Sequence, residues 1–197
     1  MSNSELHETI FQWGALNGYY IIIEGEFYRI ISSIFLHNSP MHIVMNMLSL
    51  YMVGRMVEKI FGVGAYLGLY FVSAFIGSFA SIYMHPVGWA VGASGAIFGI
   101  FGALAGLAFV HRGRMQREFM EFMRSFGIVL VINFFIGLIF PNIDMSAHVG
   151  GLIAGVFGGF LIAKNLAYLK FYLLFGGVII LGCYSYFPSL YMNYLPL

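Results

Sequence analysis

Apolar residues gather into six stretches, near 41–61, 64–84, 92–110, 121–140, 146–163 and 168–187. Each is long enough, or nearly so, to cross a hydrocarbon core about 30 Å thick as a helix. Glycines punctuate two of them at helical spacing. In 92–110 they stand at 92, 95, 99, 102 and 106. At about 100° per residue all five share one face, so another helix can approach closely. In 146–163, Gly151, Gly155 and Gly159 share a face with His148, because offsets of three, seven and eleven bring side chains nearly back into line. Serines 73, 78 and 81 in the second stretch read as packing. The sixth stretch has no ionisable group beyond Lys170 and reads as an appended helix.

The segments between the stretches are uneven in polarity. Residues 1–18 are polar and mixed, without the basic start and apolar run of a signal peptide. Residues 19–40 are apolar but interrupted by Glu24, Gly25, Glu26 and Arg29. Carboxylates are costly at mid-bilayer. A loop or short helices in the outer interface therefore fit better, anchored by Tyr and Phe. Ser39-Pro40 starts the first long helix, with Pro in its first turn. In the loop Met84–Ala90, Pro86 breaks the helix, Trp89 is an interface anchor and His85 is solvated. Asp144 is expected to be a turn or cap residue. Arg55 and Glu58, at i and i+3, are expected to pair at the interface.

Composition excludes a soluble domain. The chain is 60% hydrophobic and 9% charged, against about 25% charged in a soluble protein, and its mean hydropathy is +0.88. The formal net charge of +1 gives no sign of a nucleic-acid partner. The single cysteine, Cys183, excludes an internal disulfide. Orientation follows from the cations. Arg55, Lys59, Arg112, Arg114, Arg117, Arg124, Lys164 and Lys170 fall on one side, which is cytoplasmic. Arg29 alone falls on the other. The leader 1–18 is then extracytoplasmic, with a membrane domain over 19–163 and an additional C-terminal helix and tail over 164–197.

Depth turns scattered polar residues into a candidate site. Ser94 precedes His111 by 17 residues, and His148 precedes Lys164 by 16. At 1.5 Å per residue both stand roughly 24–25 Å above the cytoplasmic interface. His42 lies 17 residues before Lys59, and Asn46 is one turn deeper on the same face. Taken alone, His42 and Asn46 read as helix-contact hydrogen bonds, and Gly92-Ala93-Ser94-Gly95 as tight packing. Together they match acyl transfer. A serine needs a base to become a nucleophile, and His148 can take that proton and pass it to a leaving amine. The oxyanion needs fixed donors, which Asn46, His42 and the Ser94 N–H can supply. Gly92 and Gly95 leave room beside the serine for a substrate backbone. Phe98, one turn after Ser94, can pack against the His148 ring.

These residues resemble the rhomboid intramembrane serine proteases over about residues 10–163. The motifs are Gly92-Ala93-Ser94-Gly95 for G-x-S-G, Ala147-His148-Val149-Gly150-Gly151 for A-H-x-x-G, and His42-Ile43-Val44-Met45-Asn46 for H-x-x-x-N. Each is weak alone; their order, spacing and depth are specific. The resemblance implies an all-α polytopic transmembrane bundle. It implies Ser94 as nucleophile, His148 as base, and His42 and Asn46, with Gly92 beside them, at the oxyanion. It further implies that 19–40 is a membrane-embedded first loop with Arg29 structural, and that Glu58 braces the cytoplasmic side. Gly95, Gly151 and Phe98 support the site. The chain departs from the family pattern with Tyr28 before the loop arginine and Phe98 in place of a tyrosine. The family's first helix is expected upstream of residue 1, which makes the stretch at 168–187 an elaboration.

The expected function is hydrolysis of peptide bonds in or near transmembrane helices of membrane-protein substrates by a Ser–His dyad. It needs neither metal nor cofactor, and the site opens to the extracytoplasmic side of an inner membrane. Helices hide their carbonyls in internal hydrogen bonds, so substrates carry helix-breaking or small residues at the cut. A non-proteolytic protein that binds transmembrane helices is the alternative. A small-solute transporter using His42, Asn46 and His148 is a third reading, for which an inverted repeat is not evident.

Overall fold

Ser94 opens a helix enclosed by other helices. The computed structural model describes residues 3–113 and 144–192, together with 117, 119–121, 123–125, 127, 128 and 131. In chain order the elements are α1 (Asn3–Gln12), β1 (Leu16–Asn17), α2 (Gly18–Ile22), α3 (Tyr28–Phe35), α4 (Pro40–Ser49), α5 (Arg55–Phe61) and α6 (Val63–Met84). Then come β2 (Trp89–Ala90), α7 (Ser94–His111), α8 (Met145–Lys164) and α9 (Leu169–Tyr186). Among the described residues, four helical segments are long and apolar enough to cross a membrane: Val63–Met84, Ser94–His111, Met145–Lys164 and Leu166–Tyr191. This is the all-α membrane bundle the hydrophobic pattern implies.

Two of the six expected spans need comment. Most of 121–140 lies outside the described residues. The span at 41–61 is helical throughout but not uniform, because a π-helical turn, Leu50–Gly54, separates α4 from α5. Wider turns of this kind appear mostly as local bulges, often at functional sites. Here Gly54 lets the backbone approach the Tyr66 ring, which a Cβ would meet at 3.3 Å. Val53, beside it, is fully buried.

The glycine faces explain the central packing. α7 is hydrophobic all round, as suits a helix surrounded on every side. A Cβ at Gly99 would sit 3.0 Å from the Gly151 carbonyl oxygen, and one at Gly102 2.8 Å from Val156 N. From the other side, a Cβ at Gly151 would overlap the Gly95 carbonyl, one at Gly155 the Gly99 carbonyl, and one at Gly159 the Ala103 carbonyl. α6 joins through Gly77, whose missing Cβ would lie 2.7 Å from the Ala147 oxygen. At the far end, the His111 Nε2–H reaches the Ala163 carbonyl at 3.1 Å. Gly92 does not belong to this face. It precedes the helix, at φ +123, a conformation that favours glycine.

α9 is peripheral and mostly exposed, but it is keyed into the bundle. Tyr172 is fully buried between α6 and α8, its hydroxyl 3.5 Å from Ser73 Oγ. Gly158 is bare where the Tyr172 ring lies. Arg55 and Glu58 do not form the expected pair among the described residues. Arg55 turns back one helical turn, its Nη1 donating to Tyr51 Oη at 2.7 Å. The Tyr51 ring also gives the guanidinium an apolar π face, 5.0 Å from its centroid. Glu58 is exposed.

Two hydrophobic clusters organise the interior. The larger is built from α5, α6, α7 and α8 around Leu69, Ile100 and Leu104. The smaller lies at the Ser94 end, with Leu16, Ile21, Ile22, Phe79, Ile82, Phe187 and Tyr191. The end of the leader, residues 14–18, is thus buried in the bundle, while most of α1 stays exposed apart from Ile10. β1 pairs antiparallel with β2, Leu16 opposite Ala90 and Asn17 opposite Trp89. The stretch after it takes the short helices α2 and α3.

Candidate active site

The loop 85–93 delivers Ser94 to the first position of α7. α8 begins at Met145 because Asp144 caps it. The Asp144 carboxylate accepts from Ser146 N at 3.1 Å, from Ala147 N at 3.2 Å and from the Ser146 hydroxyl. Asp144 is therefore the cap residue expected of it. His148 then falls on the face that meets α7. Its Nε2 is 2.7 Å from Ser94 Oγ, within hydrogen-bond distance. The glycine contacts make that distance possible, since each missing Cβ brings the two backbones closer.

His148 is held by apolar surfaces on its other sides. The Phe98 ring stacks flat on the imidazole, centroids 4.4 Å apart and planes 4° from parallel. The ring is 8% exposed and its Nδ1 is buried without a hydrogen-bond partner. The Asp144 carboxylate is occupied by the helix start, and among the described residues no carboxylate hydrogen-bonds His148 Nδ1. Ser94 itself is half-buried, so its hydroxyl is reachable.

α4 supplies the other polar groups. Ser39 Oγ accepts from His42 N at 3.2 Å, and Pro40 occupies the first turn. This cap aims His42 and Asn46 at the segment before Ser94. A Cβ at Gly92 would lie 2.7 Å from His42 Cε1, 2.8 Å from His42 Nε2 and 3.5 Å from Asn46 Nδ2. Only glycine leaves that space open. Asn46 is 6% exposed and its Nδ2 is a buried donor with no partner. An unpaired buried donor is costly, and an arriving anion would satisfy it.

Three residues not singled out by sequence shape this corner. Asn38 Oδ1 accepts from His42 Nδ1–H at 2.9 Å. The neutral His42 ring therefore presents a lone pair at Nε2 and donates from it only as imidazolium. His37 stands edge-on to His42, ring centroids 4.9 Å apart. Burial lowers the pKa of His37, with the Phe35 carbonyl opposing. Ser33 O accepts from Gly92 N–H at 2.9 Å. Gly92 was grouped with the oxyanion residues, but its N–H is already used. What it offers the site is its positive φ and the space a Cβ would fill. His37 and Asn38, polar in a mainly apolar stretch, were the available signal; Ser33 acts through its backbone carbonyl, which leaves none.

The remaining residues bear on the frame. Arg29 is 4% exposed and lies amid the rings of Phe11, Tyr20 and Tyr28. Its Nε pairs with Glu26, and its Nη1 donates to Phe11 O at 2.8 Å and Ala15 O at 3.1 Å. This ties the short helices to the leader. Gly95 and Gly151 sit at the crossing of α7 and α8, whereas Glu58 lies at the opposite end of the bundle. Among the described residues, no group of three or more His, Cys, Asp or Glu side chains is placed to hold a metal.

The chain is also similar to known proteins. The family model of the rhomboid domain matches residues 24–165. The Rhomboid protease GluP of Bacillus subtilis (strain 168) is 38% identical over 154 residues, covering 76% of this chain and 29% of GluP. RHOMBOID-like protein 5 of Arabidopsis thaliana is 35% identical over 150 residues, covering 75% of this chain and 48% of the relative. RHOMBOID-like protein 1 of Arabidopsis thaliana is 33% identical over 152 residues, covering 77% and 39%. The chain spans less than half the length of each of these relatives.

Proposed function

Since this chain belongs to the rhomboid family, we propose that it is an intramembrane serine protease whose nucleophile is Ser94 and whose base is His148. The observation that carries the reading is the 2.7 Å separation of Ser94 Oγ and His148 Nε2. His148 Nε2 takes the Ser94 proton as Oγ attacks the scissile carbonyl carbon. The resulting oxyanion is held by the Ser94 backbone N–H and by Asn46 Nδ2. His42 adds an Nε2–H when it is imidazolium. His148 then protonates the leaving amine, and the C–N bond breaks to leave an acyl-Ser94. A water molecule, deprotonated by His148, hydrolyses that ester and returns the proton to Ser94.

The Phe98 face and the buried ring edge hold the imidazole without an orienting carboxylate. Substrates are membrane proteins with a locally unwound transmembrane helix, because only there is the scissile carbonyl free of its helical partner. The domain limits follow the same reading, with catalysis over 19–163 and elements before and after it as additions. The site opens toward the extracytoplasmic side of an inner membrane, opposite the cations of the α5, α7 and α8 ends.

Covalent labelling by a fluorophosphonate tests the reading. The intact protein in liposomes is expected to label at Ser94, and Ser94→Ala to remain unlabelled. Equal silence of both proteins ends the proposal. Binding of a helix without cleavage would then favour a non-proteolytic role.

A further inference from the structure

The loop 85–93 carries Gly92 and Ala93 to the nucleophile, yet it has little structure of its own. Its backbone is taken up by segments remote in sequence. Tyr191 Oη donates to Pro86 O at 3.0 Å. Asn17 Nδ2 donates to Gly88 O at 3.1 Å. β1 pairs Leu16 with Ala90 and Asn17 with Trp89. Ser33 O holds Gly92 N–H, as above.

Asn17 precedes the family-matched residues 24–165, and Tyr191 follows them. The two additions meet each other at the loop. Tyr191 is fully buried, in the turn Phe187–Tyr191 that follows α9. Its ring stands edge-on to Tyr19, centroids 6.3 Å apart. A Cβ at Gly18 would overlap the Tyr191 hydroxyl and lie 3.1 Å from Pro86 O. Glycine is needed there for the three segments to converge. The helix read as an appendage thus ends in a turn that reaches the loop before Ser94.

We infer that the leader and the turn after α9 form a clamp on loop 85–93, and that Asn17 and Tyr191 are positioning residues for Gly92 and the Ser94 N–H. Its kinetic consequence rests on the protease reading, but the clamp itself does not. Backbone groups fixed by remote partners exchange slowly only while those partners hold. Fixing the N–H of an oxyanion site in advance avoids reorganisation when charge develops.

The test uses full-length protein in liposomes carrying Tyr191→Phe, Asn17→Ser or both. Tyr191→Phe keeps the ring and removes the hydroxyl. Asn17→Ser keeps an acceptor for Tyr20 N–H, so the cap of α2 survives, and removes the amide donor. Hydrogen exchange over 85–93 is expected to quicken about tenfold in the double variant. The kcat for a transmembrane substrate is expected to fall about tenfold, with KM within about twofold. Each single variant is expected to show a smaller shift in the same direction. Unchanged exchange over 85–93 overturns the clamp. Faster exchange with unchanged kcat and unchanged Ser94 labelling overturns the positioning role. A wild-type protein that never labels refutes the protease reading instead, and exchange then decides the clamp alone.

Discussion

Replacing Gly155 by alanine is expected to disable the site although Gly155 touches neither Ser94 nor His148. The added methyl would overlap the Gly99 carbonyl oxygen and lie 2.6 Å from Gly99 Cα. Carbon atoms pack at about 3.5–4.0 Å, so α8 must withdraw from α7 by at least about 1 Å. The obstacle is backbone on both sides, and no rotamer change relieves it. His148 lies seven residues earlier on the same face of α8. A withdrawal of that size carries Nε2 from 2.7 Å to beyond hydrogen-bond reach of Ser94 Oγ. Loss of a positioned base costs about 10²–10⁴-fold in rate. Overpacking of this kind costs about 1–3 kcal/mol of stability, or roughly 2–12 °C in thermal midpoint.

The measurement is Ser94 labelling rate and substrate cleavage in liposomes, with thermal unfolding in parallel. Gly177→Ala is the control. That glycine has no heavy atom within 4 Å of a built Cβ, and alanine is the better helix former by about 0.8–1.0 kcal/mol. It is expected to keep full activity and to be slightly more stable. Wild-type labelling by Gly155→Ala, at an unchanged midpoint, would refute the argument that glycine contacts set the Ser94–His148 distance.

Other outcomes follow from the same geometry. Asn46→Ala is expected to lower kcat about 10²–10³-fold while leaving the thermal midpoint unchanged or raised, because it removes a buried donor that has no partner; a fall in midpoint with unchanged kcat would contradict it. Arg29→Lys is expected to cost about 2 kcal/mol, read by thermal unfolding, since a point charge cannot reproduce the hydrogen bonds to Glu26, Phe11 and Ala15 within three aromatic rings. His37 predicts an acid limit to stability. Burial holds its folded pKa below the ordinary histidine value of about 6.5, so the unfolded chain binds that proton first. Its contribution is full above the unfolded value and is lost as pH falls through the folded one. His37→Gln is expected to flatten that slope in midpoints measured from neutral to mildly acidic pH, and an unchanged slope counts against it.

Much of the bundle was legible because membrane helices write their length and facing directly into sequence. The apolar runs marked α6, α7, α8 and α9, and the glycine spacing marked which faces of α7 and α8 meet. Ser94, His148, His42 and Asn46 were legible as a layer from depth alone, since rise per residue is constant along a helix. The stacking of Phe98 on His148 followed from one turn of spacing. Local pattern misled where two partners competed. Arg55 was matched to Glu58 by spacing, but the Tyr51 ring and hydroxyl on the preceding turn took the guanidinium. Gly92 was counted on the helix face by periodicity, but the helix begins two residues later.

The sequence by itself determined the helices, their glycine faces and the depth of each polar group, because those quantities depend only on spacing along one chain. The tertiary structure alone decided the 2.7 Å approach of Ser94 to His148, the Asn38 partner that selects the His42 proton, and the use of Gly92 N–H by Ser33. It also decided that Asn17 and Tyr191 converge on loop 85–93. Hydrogen bonds between residues far apart in sequence leave no periodic trace. They exist only once packing has brought their donors and acceptors within reach.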